Sequence, residues 1–441
     1  MKRRTTRSSL VAVALASSLV LAACGDDDDG GETTDDPTTS DSPTESESTS
    51  TGGDGTLTVG MLLPQTGSLA FLGPPEFAGV DLAIEEINAA GGVLGQDVVG
   101  VKGDSGDTDS GIAPDETDQL LKAGSDVIIG AASSGVSFTV IDKIMSAGVV
   151  QFSPANTSTD FDTGDYAEPD LYFRTAPSDI LQGAVLSNLV LQEQRQNVAI
   201  LARQDAYGET LAEEVKKGLE NGGSTVATTE FYGEKATTYD TQVQAIADTN
   251  PDAIVLIAFE ETTSIIPELI KLGVGPADVP TYFVDGNTAD YKEDPADPEK
   301  KFLPPGSLTG VKGTIPGAEA TGEFRERLLG INPKLKDYSY AGEAYDATVV
   351  SALAAIAAES DAGTDIGANI VDITREGTKC TAFEECAALL ADGEDIDYDG
   401  ASGPIELGET GSPTSASIGI YEYGEDNTVT PVDYISGDIA G

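Results

Sequence analysis

The stretch VIIGAASSGVSFTVIDKIMSAGVVQFSPANTSTDFD, residues 127–162, decides the predicted fold. It contains two apolar runs, 127–129 and 149–152, and a loop of small hydroxyl-bearing residues follows each run. Apolar residues recur at helical spacing over 138–145, so the stretch predicts a strand, a helix and a second strand. A connection of this length makes the strands parallel neighbours. Both loops then lie at the carboxyl edge of one sheet, where open α/β sheets bind small ligands.

The same alternation of apolar runs continues on both sides of this stretch. Strands are predicted at 57–63, 97–102, 198–201, 225–232, 253–259 and 281–284, and helices at 74–90, 113–123, 180–192, 211–219, 241–247 and 263–272. The series restarts after Arg174, and two successive series indicate two doubly wound α/β lobes rather than one large sheet. A single barrel, which requires a more regular eightfold alternation, is the less favoured alternative.

The last third of the sequence is less regular. It predicts an extended segment at 311–316, a long Ala-rich helix at 340–358 and a final strand at 418–423. Thr381 and Glu384 fit a capping box for a helix that continues to residue 390. These elements must complete one or both lobes, so we expect the chain to cross between the lobes more than once.

The composition excludes several classes of function. The chain has 441 residues with 76 Asp and Glu, 24 Lys and Arg, and no histidine, which gives a formal charge of −52. So negative a charge argues against nucleic acid and anionic membrane surfaces as partners. The lack of histidine excludes Ser–His–Asp and Cys–His catalysis and HExxH zinc sites. No P-loop or GxGxxG motif is present. We therefore predict a protein that is not an enzyme and that has no cofactor or metal.

The first 55 residues predict an export signal and a tether. A basic start precedes an apolar run at 10–21 that is too short for a typical membrane span, and residues 1–23 are predicted to be a signal peptide. The sequence LAAC at 21–24 resembles a bacterial lipobox, which implies a lipid anchor on Cys24. The alternative is an ordinary signal peptide with a chance cysteine. Residues 25–55 hold almost only Gly, Asp, Glu, Ser, Thr and Pro, so 24–55 is predicted to be a lipidated cysteine followed by a disordered acidic tether.

Two cysteines remain after Cys24. Cys380 and Cys386 form an even pair in a chain predicted to be exported, which favours a disulfide over two free thiols. Residues six apart lie on different faces of a helix, so this pairing requires Cys380 to precede the helix that begins near Thr381. Their spacing does not fit a metal site.

Five residues follow apolar strand runs in both predicted lobes, namely Ser134, Thr157, Tyr207, Phe259 and Asp285. Each has a structural explanation on its own: a helix cap, a local turn, ring packing, the end of a core strand and a turn. Together, at matching sheet edges, they predict a ligand cleft between the lobes.

A family resemblance supports this interpretation. The segments LAIEEINAAGGVLGQDV, LYFRTAPSDILQG and RQDAYGETLAEEVKKGLENGG, together with the stretch quoted first, resemble the leucine/isoleucine/valine-binding protein family. These are type I periplasmic binding proteins that supply ABC importers. The resemblance covers 56–441 and implies two Rossmann-like lobes joined by three hinge crossings, near Thr175, Val311 and Gly403. The expected lobes are then 56–175 with 311–403, and 176–310 with 404–441.

The resemblance also implies roles for individual residues. Ser134, the backbone at Ala132, Ala155 and Thr157 correspond to the set that holds the α-carboxylate of a ligand. Tyr207 corresponds to a ligand-contacting tyrosine and Asp285 to the acid that receives the α-ammonium group. Charge-assisted hydrogen bonds of this kind are the strong ones.

Two positions differ from the family pattern. Leu72, which follows Phe71, and Phe259 stand where the family often has tyrosines, and both leave an apolar wall instead of a hydroxyl. Such a wall suits an apolar side chain, although Glu260 and Glu261 offer an alternative in which a basic group is selected.

The expected function is that of a monomeric receptor, lipid-anchored at the extracytoplasmic face of the cell membrane. It would bind an amino acid, branched-chain or otherwise apolar, and deliver it to an ABC permease. One alternative is a sensor lipoprotein of the same fold coupled to a signalling partner. Another is a receptor for amides or urea. The sequence leaves the ligand and the partner open.

Overall fold

The computed structural model describes residues 53–163, 166, 171–295 and 300–439. The predicted signal peptide, Cys24 and most of the predicted tether lie outside these residues. Its strands are β1 (Thr58–Leu63), β2 (Val99–Asp104), β3 (Val127–Gly130), β4 (Val150–Ser153), β5 (Tyr172–Arg174), β6 (Asn197–Gln204), β7 (Thr225–Gly233), β8 (Ala253–Ile257), β9 (Thr281–Phe283), β10 (Lys312–Pro316), β11 (Thr378–Cys380), β12 (Ile396–Gly400), β13 (Gly403–Pro404), β14 (Ser415–Tyr423) and β15 (Val429–Asp438).

Eleven α-helices connect these strands within the described residues. They are α1 (Gly73–Ala89), α2 (Ala113–Lys122), α3 (Ser134–Ser146), α4 (Asp179–Gln192), α5 (Ala206–Asn221), α6 (Asp240–Asp248), α7 (Thr262–Lys271), α8 (Gly322–Ile331), α9 (Ala341–Ala358), α10 (Gly363–Ile370) and α11 (Phe383–Ala391). None of the helices in the described part of the chain is both long enough and apolar enough to span a membrane.

The first sheet has five parallel strands in the order β2-β1-β3-β4-β5. Val127 pairs with Val150 in the β3–β4 register, as the strand–helix–strand prediction for this region requires. Where β3 passes β1, a Cβ on Gly130 would lie 2.1 Å from the Leu62 carbonyl oxygen, so this position accepts only glycine. The predicted strand at 97–102 begins two residues later, at Val99.

The second sheet has seven strands in the order β15-β14-β10-β9-β8-β6-β7. The interior strand β8 is buried along its whole length because its side chains enter two different cores. Val255 belongs to the core on one face, whereas Ile254 and Leu256 belong to the core on the other. Burial on both faces explains why this strand is purely apolar in sequence. The prediction of two doubly wound lobes is thus confirmed, and the barrel alternative is wrong.

The chain passes between the two sheets three times, although not always at the expected residues. The first passage follows β5, next to Thr175. The second was expected at Val311, but β10 pairs with β9 and with β14, so the chain leaves the second sheet only after Pro316. The extended segment at 312–316 therefore belongs to the second lobe because it satisfies its backbone hydrogen bonds there. The third passage lies between β13 and β14, beyond the expected Gly403.

The helices α1 and α9 pack closely over the first sheet. A Cβ on Gly79 in α1 would lie 2.3 Å from the Ala341 carbonyl oxygen in α9, so glycine permits this approach. The first fifteen residues of α9 are all buried, and its many alanines keep it thin enough to occupy the core.

A three-stranded sheet, β11-β12-β13, joins the same core and carries the disulfide. Cys380 and Cys386 are bonded, as predicted, with their Cα atoms 5.5 Å apart. Cys380 ends β11 and so precedes α11, the condition that the pairing required. The predicted capping box is wrong, because the residue that caps α11 is Ala382 and no side chain caps this end. The Thr381 backbone N–H instead donates to Glu385 at 3.4 Å.

Candidate ligand-binding site

The loops at the carboxyl edges of both sheets meet around one small cavity. Its lining residues come from both lobes: Leu69, Leu72, Ala132, Ser133, Ser134, Ala155, Tyr207, Phe259, Asp285, Gly286 and Tyr340. Every residue that we predicted to contact a ligand is among them except Thr157. The cavity has a volume of about 10 Å³, which is room for one water molecule. A ligand of amino-acid size therefore requires the two lobes to separate.

The first lobe presents the beginning of α3 to this cavity. The Ser133 side chain caps the helix by accepting a hydrogen bond from the Val136 backbone N–H, so Ser134 is the first residue of α3 and not its cap. The Ser134 hydroxyl lines the cavity and accepts one long hydrogen bond, 3.4 Å, from the Ser158 N–H. A helix N-terminus with a neighbouring hydroxyl favours a negatively charged group. This wall of the cavity can therefore hold a carboxylate.

The loop that follows β4 forms the neighbouring part of the wall. Its shape is held by Arg174, which is fully buried and donates to the carbonyl oxygens of Asn156 and Ser158. Ala155 from this loop lines the cavity. A contact between Ala155 and a ligand stays a prediction.

Thr157 lies one layer behind the cavity wall. It is fully buried, and its carbonyl oxygen accepts from the Asp179 N–H at 2.7 Å. The Thr157 hydroxyl lies beside the Asp179 carboxyl without a hydrogen bond of normal geometry. Burial raises the pKa of Asp179 to about 7, and the hydroxyls of Thr210 and Thr157 moderate the rise. In this conformation Thr157 faces the start of α4 rather than the cavity.

Asp285 supplies the charged group of the second lobe. It lies in the turn after β9, is 6% exposed, and accepts hydrogen bonds from Tyr207 at 2.6 Å, Gln182 at 3.0 Å and Tyr340 at 2.8 Å. Burial raises the pKa of Asp285, and these three donors limit the rise. A carboxylate has about four acceptor positions, so one remains for a further donor.

The remaining wall is apolar. The Tyr207 ring stacks on the Phe259 ring with centroids 5.4 Å apart. The Arg203 guanidinium lies 3.6 Å from the Phe259 ring centroid and forms ion pairs with Asp205 and Glu261. Leu69 and Leu72 complete this side. Leu72 and Phe259, which stand where the family often has tyrosines, therefore both contribute apolar surface to the cavity.

Glu260 and Glu261 do not line this cavity, so the alternative in which they select a basic group is not supported. The Glu261 carboxylate accepts from Arg203 at 2.7 Å and from the Tyr232 hydroxyl at 2.9 Å. Glu260 pairs with Lys301 at 2.6 Å. Both carboxylates are thus occupied by partners within the second lobe.

The sequence prediction missed the lining residues Leu69, Ser133, Gly286 and Tyr340. It also missed Gln182, which contacts Asp285 from behind the cavity. Tyr340 precedes α9 with φ of 59°, in the left-handed region, and reaches across from the first lobe to Asp285. Gln182 lies on α4 and contacts Asp285 and Thr314. Neither follows an apolar strand run, which was the signal used to find the others. Among the described residues, no cluster of three acidic, cysteine or histidine side chains is placed to hold a metal ion.

Comparison with known proteins gives a consistent result. The sequence model of the family described as periplasmic binding protein matches residues 56–424. The Leu/Ile/Val-binding protein homolog 3 of Brucella melitensis biotype 1 is 30% identical over 171 residues, which are 38% of this chain and 45% of that protein. This chain thus spans less than half the length of the Leu/Ile/Val-binding proteins that it matches.

Two further comparisons extend over most of the chain. A protein of Halobacterium salinarum, the chemotactic signal transduction system substrate-binding protein BasB, is 26% identical over 363 residues, which are 80% of this chain and 83% of that protein. The branched-chain amino acid transporter substrate binding protein LivJ from Streptococcus pneumoniae, solved in complex with isoleucine, superposes with a TM-score of 0.67 at 19% identity and covers 87% of this chain and 100% of its own. At that identity the superposition establishes the fold alone.

Proposed function

Because this chain belongs to the periplasmic binding protein family, we propose that it captures an amino acid between its two lobes and delivers it to an ABC importer. Members of the family are extracytoplasmic solute-binding proteins and not enzymes, so the prediction of a non-enzymatic role is confirmed. The observation that carries the proposal is the meeting, at one cavity, of the α3 N-terminus from one lobe and the buried Asp285 from the other.

These two groups suit the two ends of a zwitterion. The α-carboxylate of the ligand binds at the start of α3, where the Ser134 hydroxyl and backbone N–H groups donate hydrogen bonds. The α-ammonium group binds the remaining acceptor position of Asp285, in a setting where burial strengthens the charge-assisted bond. The carboxylate and the ammonium group of the ligand thus bind to different lobes, so a bound amino acid links the lobes.

The side chain of the ligand then faces the apolar wall formed by Leu69, Leu72 and Phe259. None of these residues offers a hydrogen-bonding side chain, and an apolar ligand side chain leaves no polar group unpaired against them. The proposed ligand is therefore an aliphatic amino acid, of the branched-chain class that the names of the Leu/Ile/Val-binding relatives indicate for those proteins.

Closure of the lobes is stabilised by contacts that do not involve the ligand. The Tyr340 hydroxyl from the first lobe donates to Asp285 of the second at 2.8 Å. At the rim, Lys235 after β7 pairs with Asp109 after β2 at 3.4 Å. In the proposed cycle the open form admits the ligand, the ligand adds to these contacts, and the importer receives the closed form.

The position of the protein in the cell is part of the proposal. A lipid on Cys24 and the acidic segment at 25–55 would hold the folded lobes near the outer face of the membrane. The proposed lobes are 56–175 with 317–407 and 176–316 with 408–441, because Ile405 and Leu407 pack in the core of the first lobe. The protein is proposed to act as a monomer.

The experiment that tests the ligand class is a thermal-shift screen of the exported protein without its first 23 residues. The panel contains the twenty amino acids with urea, acetamide and benzoate. At a ligand concentration a hundredfold above the dissociation constant, stabilisation is about 2.7 kcal/mol. We expect the largest shift from Leu, Ile or Val. A shift from acetamide or urea alone, with no response to any amino acid, would replace the proposal with an amide receptor.

A second experiment separates transport from sensing, because the Halobacterium relative is named for chemotactic signal transduction. Uptake of the radiolabelled amino acid is measured in cells with and without the gene for this protein. Transport predicts that uptake at low ligand concentration is lost. Unchanged uptake together with a lost chemotactic response to the same amino acid would assign a sensor role.

A further inference from the structure

A second and larger cavity lies between the lobes on the hinge side of the molecule. Its volume is about 240 Å³, against about 10 Å³ for the first cavity, and Tyr340 lines both. One wall is formed by the segment before α9 and by α8, which belong to the first lobe. The opposite wall is formed by the β14–β15 hairpin of the second lobe. We call it the hinge cavity.

Glu343 is the buried acid of the hinge cavity. It lies in the first turn of α9, is 4% exposed and lines the cavity. Two of the interlobe passages contact it: the Thr175 hydroxyl donates to its carbonyl oxygen at 2.9 Å, and a Cβ on Gly317 would lie 2.5 Å from its Oε1 atom. Within the described residues, no side chain donates a hydrogen bond to the Glu343 carboxyl or forms an ion pair with it.

A second carboxyl, that of Asp337, faces the same space. Its Oδ1 atom accepts from the Ser339 N–H at 2.9 Å and from the Ser339 hydroxyl at 2.7 Å. It forms no ion pair with any described residue. Burial of the carboxyl raises the pKa of Asp337, although part of the residue is exposed. Asp337 and Glu343 both line the hinge cavity.

The other walls are aromatic. Tyr338, Tyr421 and Tyr434 line the hinge cavity, and the hydroxyls of Tyr421 and Tyr434 are 3.2 Å apart. Tyrosine rings attract cations at their faces, and phenol oxygens accept hydrogen bonds from an ammonium group.

The two cationic side chains at the hinge cavity have partners of their own. Lys336 pairs with Asp294 at 2.9 Å. Arg325 lies 3.8 Å from Glu319, with its guanidinium over the Tyr338 ring. Among the described residues, neither forms an ion pair with Glu343 or Asp337.

We propose that the hinge cavity binds a small organic ammonium ion between Glu343 and Asp337, against the tyrosine wall. The two carboxyls lack a cationic partner, one of them is almost completely buried, and the volume suits a molecule of a few heavy atoms. The formal charge of −52 raises the local concentration of cations. Because the cavity is built from both lobes and adjoins their passages, a bound ammonium ion stabilises the closed form. The proposal does not depend on what the first cavity binds.

Protonation provides a specific signature of this binding. Burial raises the pKa of Glu343 to about 8, so at pH 7 its carboxyl holds a proton in most molecules. An ammonium ion favours the ionised carboxylate, and its binding releases this proton. The charged and titratable groups that surround Glu343 on the packed elements are Glu76 on α1, Asp346 on α9, Lys336, Asp337, Tyr338 and Tyr340 before α9, Arg325 on α8, and Tyr421 and Tyr434 on the hairpin.

The test is isothermal titration calorimetry of the exported protein at pH 7 in 150 mM NaCl, with 4-amino-1-butanol as the probe. The matched neutral compound is 1,4-butanediol, which replaces the ammonium group by a hydroxyl. Titrations in two buffers of different ionisation enthalpy report the number of protons released. We expect saturable binding of the amine with net proton release, and no binding of the diol.

Two variants separate the hinge cavity from general attraction to an acidic surface. Glu343→Gln keeps the size of the side chain and should weaken amine binding at least tenfold and abolish the proton release. Glu326→Gln makes the same charge change at an exposed position of α8 and should leave binding within twofold. Asp337→Asn, at a partly exposed position, replaces Glu343→Gln if that variant does not fold. Equal affinity of the wild type and the folded Glu343→Gln or Asp337→Asn protein, or equal affinity for the amine and the diol, would overturn the proposal.

Discussion

The substitution Asp285→Asn tests whether Asp285 binds the α-ammonium group of the ligand. Asp285 is buried and accepts three hydrogen bonds, from Tyr207, Gln182 and Tyr340. Asparagine has the size of aspartate and keeps one side-chain oxygen, so the hydrogen bonds from Tyr207 and Gln182 can persist. The new amide nitrogen is a donor, so it cannot accept a hydrogen bond from Tyr340 or from the ammonium group of the ligand. The fold should persist, because the substitution removes a charge that burial disfavours.

The expected loss is large for ligand binding. Removing one partner of a buried charge pair costs about 2–5 kcal/mol. Each 1.4 kcal/mol is a factor of ten, so affinity should fall by roughly thirtyfold to a few thousandfold, mostly through faster dissociation. The assay is calorimetric titration with the amino acid that gives the largest thermal shift, with circular dichroism as the check on folding. Asp278→Asn, an exposed position before β9, is the matched control and should bind like wild type. A folded Asp285→Asn protein that binds within twofold of wild type would refute the assignment.

Three further predictions follow from other parts of the chain. Ser134→Ala should weaken amino-acid binding by about 1–3 kcal/mol, less than Asp285→Asn, because backbone donors of α3 remain; calorimetry measures the difference. Cys24→Ser should move the exported protein from the membrane fraction to the soluble fraction, and unchanged membrane association on cell fractionation would show that Cys24 is not the anchor. Both Glu76 carboxyl oxygens are buried without a partner, and burial, with the nearby Glu343, raises the pKa of Glu76. The unfolded chain then binds fewer protons than the folded protein once the pH exceeds the ordinary Glu pKa, so this group lowers the stability as the pH rises. Glu76→Met should therefore increase the free energy of unfolding by about 1–3 kcal/mol at pH 8 and by less at pH 4, and equal gains in urea unfolding at both pH values would contradict this.

The parts of the fold that the sequence predicted correctly are those with strong apolar periodicity. The strands β3 and β4 and the helix between them form the predicted parallel unit, since their side chains are buried in a regular pattern. The strand β15 was missed because it is an edge strand with mostly exposed residues, and its pairing with β14 supplies order that its own sequence does not show. The passage expected at Val311 was displaced because backbone pairing with two neighbours decides where β10 belongs.

The residues of the candidate site likewise include some that the sequence predicts and some that it does not. Ser134, Ala155, Tyr207, Phe259 and Asp285 follow strands, and parallel strands bring their ends to one sheet edge, so position in sequence predicts position in space. Tyr340 and Gln182 reach Asp285 from the beginning of α9 and from α4, and only the packing of these helices against the sheets places them there. Thr157 follows a strand as well, yet its loop turns it toward Asp179.

Calorimetric titration with L-leucine, L-leucinamide and N-acetyl-L-leucine tests whether the two lobes bind the two ends of one amino acid. The amide lacks the carboxylate that faces α3, and the N-acetyl compound lacks the ammonium group that faces Asp285. We expect L-leucine to bind and each derivative to bind at least a hundredfold more weakly. Binding of either derivative as tightly as L-leucine, or of none of the three, would contradict this expectation.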